Sequence, residues 1–159
     1  MSQLLCKSLD SNFQEAIKLT VETIWQFSPE QWTKGIDNFQ IPWKISYHLI
    51  ECLDYYFREQ SVEPFHWGHR FQGGWWELPS DRIPSQNDLL NYLEEIKKRI
   101  SVHFSRLDDS EFTIPFDKER EHGDTRLGHY LYALRHTMHH HGALSLLSLS
   151  YGNSPGTWE

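Results

Sequence analysis

Residues 124–152, DTRLGHYLYALRHTMHHHGALSLLSLSYG, hold the key to this chain. Asp124 or Thr125 supplies an N-cap, Gly152 supplies a stop, and nothing between them breaks a helix running to about Ser150. Leu127, Leu131, Leu134 and Met138 occupy one arc of that helix, while Ala133, Ala143 and Leu147 flank the arc of His136 and His140. A helix that is apolar almost all round is a central one. Periodicity leaves open which of its arcs faces the bundle axis.

Three more segments repeat an apolar residue every three or four positions, the spacing of an amphipathic helix. The first runs from about Leu4 to Trp25 through Leu5, Leu9, Phe13, Ile17, Val21 and Ile24. A second starts at Pro42, which suits a first helical position, and reaches about Phe57 with Ile45, His48, Leu49, Cys52 and Tyr56 inward. The third opens at Ser85 and Asp88, a capping signature, and places Leu89, Leu93, Ile96, Ile100, Phe104 and Leu107 on one face. Ser28-Pro29-Glu30-Gln31 predicts a short capped turn between the first two. Residues 59–84 contain Pro64, Gly68, Gly73, Gly74, Pro79 and Pro84, yet stay apolar through Phe65, Trp67, Phe71, Trp75 and Trp76. So aromatic a stretch is expected to lie against the domain as a crossover. A second irregular connection spans Asp108 to Gly123. The expectation is an all-α four-helix bundle, one domain over residues 1–159, with a long crossover between its second and third helices.

The chain has 159 residues, 38% of them apolar and 14% aromatic, enough for a core and too apolar for disorder. Fifteen Lys and Arg against 22 Asp and Glu give a net charge of -7, with no basic face for nucleic acid. Lys97, Lys98 and Arg99 form the only basic run and read as a solvated helix surface. No apolar run approaches the ~20 residues of a membrane span, and the first residues lack a signal-peptide pattern. Cys6 and Cys52 suggest no disulfide framework. A cytoplasmic protein is expected. The seven tryptophans are expected to be mostly core, with Trp67, Trp75 and Trp76 the candidates to cover a pocket.

Ten histidines are the chemical signal, four of them between His136 and His141. Helix residues four apart stack on one face, so His136 and His140 project together. Two imidazoles make half a metal site, and His48, placed in an apolar stripe, is the best third ligand. Three neutral imidazoles suit a late divalent ion and leave positions for water or substrate. Several alternatives stay open. His136 with His139 is an i, i+3 pair, His103 rivals His48, and His66 with His69 are closely spaced in the crossover. Cys52, a turn after His48, is either a buried hydrophobe or a fourth ligand. Glu51 and Asp54 are near enough in sequence to accept a ring N–H from a ligand. His141 falls about 100° from His140 and reads as a surface or outer-sphere group.

The stretch HTMHHHGAL, His136 to Leu144, resembles the signature of the DinB/YfiT family of small metal-binding four-helix proteins: two histidines four apart, a variable residue, a glycine and an apolar stretch. Matching on Gly142 puts His136 and His140 on the signature positions and His141 on the variable one. WKISYHLIECLDYYF, Trp43 to Phe57, resembles the family's second helix, whose single histidine maps onto His48. The resemblance implies a DinB-like bundle with an atypical helix order, a divalent ion, often Zn or Ni, on three histidines, and dimers. It also implies an enzyme class that includes transferases acting with low-molecular-weight thiols, alongside hydrolase-like proteins. The leading expectation is therefore a metal-dependent thiol S-transferase with a small-molecule substrate. The alternatives are a metal-dependent hydrolase, a non-catalytic metal-stabilised binding module, or histidines that satisfy one another in a polar core.

Overall fold

The computed structural model describes residues 3–36, 40–58, 64–115 and 124–154. The helices are α1 (Leu4–Gln26), α2 (Pro29–Trp32), α3 (Pro42–Tyr56), α4 (Gln86–Ser105) and α5 (Arg126–Ser150), with 3-10 turns at Ser80–Arg82 and Asp109–Thr113. Among the described residues there is no strand, only an isolated bridge between Pro115 and Thr125. The four long helices form a square: α1 and α3 each pack on both α4 and α5, which places α1 opposite α3 and α4 opposite α5. The helical bundle is as expected, with the short α2 as a fifth helix.

Local chemistry sets most helix ends. Ser85 and Asp88 form a reciprocal capping box at α4, and Ser28 with Gln31 form one at α2. Thr125, not Asp124, caps α5 by accepting the Gly128 N–H at 3.2 Å. The start of α1 has no side-chain cap of its own. Its first N–H groups donate instead to the Asp109 carboxylate, from Leu4 at 2.9 Å and from Leu5 and Cys6 at 3.1 Å. A negative group at the positive end of a helix is stabilising, and here it also fastens α1 to a turn about a hundred residues away.

The helices α1, α4 and α5 each contribute an aromatic ring to one central stack, and α3 contributes its C-cap residue, Phe57. Phe13 meets Phe57 at 5.0 Å and Phe104 at 5.9 Å, and Tyr130 closes the group at 5.0 Å from Phe104. The expected stripe of α4 is buried from Leu89 to Phe104. On α1 the stripe is shifted at its start: Leu5 is exposed and Cys6 is buried in its place. The expected tryptophan core is corrected too, since Trp32 and Trp43 are buried while Trp25, Trp67 and Trp76 are exposed. Trp158 lies outside the described residues.

The crossover decides the surroundings of α3. Its described part, from residue 64 on, lies against that helix: Tyr47 donates its hydroxyl to the Gly73 carbonyl at 3.0 Å, and the Gly68 N–H donates to Glu51. Phe71 edges Tyr47 at 5.2 Å, and Leu78 is buried. Gly68 is required at its turn: φ is +82°, and a Cβ there would meet the Gly73 carbonyl carbon at 2.5 Å. With helices on one side and the crossover on the other, α3 buries Tyr47, Ile50, Glu51 and Asp54 as well as Leu49, Cys52 and Tyr56.

Candidate metal centre

His48 points from α3 toward α5, where His136 and His140 lie one turn apart. Ring centroids are 4.6 Å apart for His48 and His140, 5.5 Å for His48 and His136, and 4.5 Å for the α5 pair. One ring nitrogen from each lies within 4.8 Å of the others, and all three side chains are half-buried. The Nε2 atoms of His136 and His140 are 3.1 Å apart. Bonds of ~2.0–2.1 Å to a common Zn ion place nitrogens about 3.3 Å apart in a tetrahedron and about 3 Å apart at a right angle. The pair already stands at that separation. These three histidines can hold a metal ion.

The protonation of His48 and His140 suits the task, because an imidazole must be neutral to donate its lone pair. Burial, then the neighbouring His136, pushes His48 down to about 4. Burial, followed by His48, His136 and His139, pushes His140 down to about 3. Around the rings the walls are aromatic. Trp75 from the crossover meets His48 at 5.0 Å, Tyr132 stacks on His136 at 6.0 Å, and Tyr56 edges His136 at 5.8 Å.

The rival residues sort themselves by location. His139 is exposed and only edges His140 at 4.9 Å, so the i, i+4 register is the one brought to His48. His103 belongs to the aromatic stack, its Nε2 2.6 Å from the Tyr130 hydroxyl, outside the group of three. His66 and His69 are exposed, and His69 turns toward the Asp54 carboxylate at 3.3 Å. Cys52 lies close, its Sγ 3.7 Å from His48 Nδ1, yet outside the group. Burial and the nearby Glu51 push its thiol up to about 12, away from the thiolate a metal would take.

Two expectations are corrected. Glu51 and Asp54 turn away from the histidines: Glu51 accepts the Gly68 N–H, and Asp54 accepts from the Tyr92 hydroxyl and Arg99. The reason is helical geometry, since both lie about 60–120° round α3 from His48, Glu51 facing the crossover and Asp54 facing α4. His141 is buried rather than on the surface, with its Nε2 3.2 Å from the Ser145 hydroxyl and its pKa lowered by burial. Of the three crossover tryptophans, only Trp75 touches the centre. Trp67 stacks on Tyr55 at 5.2 Å instead, and Trp76 packs on Trp75 at 5.6 Å.

Sequence reasoning passed over His129. It is buried, with Nε2 3.2 Å from the Tyr56 carbonyl and its ring 5.7 Å from that of Tyr56. Seven residues before His136, it falls on the same arc of α5, so the helical wheel contained the signal. No family model matches the chain, and no curated protein matches it. The metal centre rests on the geometry of its side chains.

Proposed function

We propose that this chain is a divalent-metal enzyme of the DinB type, with Zn or Ni on His48, His136 and His140, that transfers a low-molecular-weight thiol to a small electrophile. One observation carries the reading: three imidazoles converge from two helices, and among the described residues no carboxylate or thiolate joins them. Neutral ligands leave the full double charge on a bound ion, which then favours anionic ligands at its open positions. Such an ion would supply Lewis acidity, favouring the deprotonated form of a thiol at neutral pH.

The chain's own residues would do the rest. Trp75, Tyr132 and Tyr56 wall the histidines and restrict water around them. The crossover holds Trp75 in place through the anchors of Gly68 on Glu51 and Tyr47 on Gly73. A reducing cytoplasm suits the free thiols of Cys6 and Cys52.

The nearness of Cys52 to His48 favours a second reading, a non-catalytic module whose ion has four protein ligands and only stiffens the bundle. A water-activating hydrolase uses the same open site. Metal analysis of the purified chain, kept free of chelator, tests the foundation. One ion per chain is expected, lost in His136→Ala and in His140→Ala. Protein that holds no metal and takes up neither Zn nor Ni overturns the proposal. X-ray absorption of the loaded protein then separates the readings: three nitrogens with an exchangeable position support the enzyme, whereas a sulfur ligand at the Zn–S distance of ~2.3 Å supports the closed module. Turnover of a generic electrophile with a panel of thiols distinguishes transfer from hydrolysis.

A further inference from the structure

The charge around the metal centre is one-sided. Two of the three histidines come from α5, whose 25 residues include no Asp or Glu, although the chain has 22 of them. On α3 the acids are turned elsewhere, Glu51 to the Gly68 N–H and Asp54 to Tyr92 and Arg99. In the crossover, Glu77 accepts the Gly74 N–H at 3.1 Å. With neutral ligands and these acids turned aside, the field of a divalent ion at the centre is left uncancelled.

Helical geometry shows from which side a ligand reaches that ion. Ala133, Thr137 and Leu144 lie about 60–100° round α5 from His136 in one direction, and all three are buried. Tyr132, His139 and Arg135 lie about 40–100° round in the other, where His139 and Arg135 are exposed. The open flank of the centre is therefore the one that carries Arg135. Its guanidinium carbon lies 5.2 Å from the centre of the Tyr132 ring, and that ring stacks on His136 at 6.0 Å. The guanidinium is thus no farther from the His136 ring than these two contacts laid end to end. Contact with a ring face holds a guanidinium without consuming its N–H donors, and no carboxylate among the described residues takes them. The other cations nearby are engaged: Arg126 of α5 pairs with Glu111 at 2.5 Å, and Lys44 of α3 lies over the Trp43 ring at 5.7 Å.

We propose that Arg135 sets the specificity of the centre: its substrate carries a carboxylate, which pairs with the Arg135 guanidinium while another donor atom of the same molecule takes an open position on the ion. The inference rests on the metal-enzyme reading above and narrows its substrate to an organic anion. A carboxylate matches the planar fork of arginine through two parallel hydrogen bonds, a fit that a lysine ammonium does not offer. Tyr132 ties that fork to the side of a metal ligand, so recognition and chemistry share one helix turn. The net charge of -7 repels anions from the molecule as a whole, and a local cation beside the ion offsets that repulsion where it matters.

Full-length protein loaded with Co(II), whose absorption reports a bound thiolate, tests this with two probes of equal length, mercaptohexanoate and mercaptohexanol. Their chain is too long to close a stable chelate ring on the ion, so the carboxylate gains only what the protein offers it. The wild type is expected to bind mercaptohexanoate at least about tenfold more tightly than mercaptohexanol. Arg135→Gln should bring the two affinities together with the metal content unchanged, and Arg135→Lys should restore part of the preference. A merely structural role for Arg135 moves both affinities alike and leaves their ratio as it was. Equal affinities in the wild type, or a preference that survives in Arg135→Gln, overturn the inference and leave the metal enzyme standing. If neither thiol binds the loaded protein, the thiol-transfer reading falls and this inference falls with it.

Discussion

Glu51 gives the sharpest quantitative test of how the crossover is held. Its side chain is fully buried; one oxygen accepts the Gly68 N–H, and Oε2 has no hydrogen-bond partner among the described residues. Burial pushes its carboxyl from 4.5 up to about 7. Each unit corresponds to about 1.4 kcal/mol, so ionisation costs the folded state about 3 kcal/mol more than the unfolded chain. Below the unfolded value both states are protonated and nothing is lost. Between 4.5 and 7 the unfolded chain ionises first, and stability falls as pH rises; above 7 the whole penalty remains. Glu51→Gln keeps an oxygen for Gly68 and removes the charge. Urea unfolding of both proteins, in chelator, should show the variant gaining about 2–3 kcal/mol on the wild type between about pH 5 and pH 8. A difference that does not change with pH refutes the reasoning.

Two further predictions concern the same architecture. Gly68→Ala forces a Cβ into the Gly73 backbone at a positive φ and should lower stability by about 1–3 kcal/mol, with a shift in tryptophan emission as Trp75 loosens; an unchanged urea midpoint contradicts this. Burial, then Arg126 and His129, pushes His103 down to about 4, so the unfolded chain takes up its proton first as pH falls. The stability present above about 6.5 should drain by about 2–3 kcal/mol as pH drops toward 4, and His103→Gln, which still pairs with Tyr130, should flatten that acid limb. An equally steep limb in the variant counts against the assignment.

The four long helices were legible because periodicity and caps are local: Ser85 with Asp88 fixes the start of α4 whatever surrounds it. The pairing of His136 with His140 was legible for the same reason, one helix turn being a property of the backbone. Reading stopped where an answer depended on a distant partner. The cap of α1 comes from Asp109, which no pattern near Leu4 announces. Glu51 and Asp54 looked like outer partners of His48 by proximity in sequence, but the crossover, free to lie on any side of α3, took Glu51, and α4 took Asp54. The placement of His141 in the core, rather than at the surface, followed from which arc of α5 met the other helices.

The sequence by itself determined the helices, their ends and the facing pair of imidazoles, since each is written within a few residues. Only the tertiary structure decided that His48, rather than His103, meets that pair, and that the arc of α5 bearing Arg135 remains outside. Both depend on how rigid helices settle against one another, and that choice is made by packing over the whole chain.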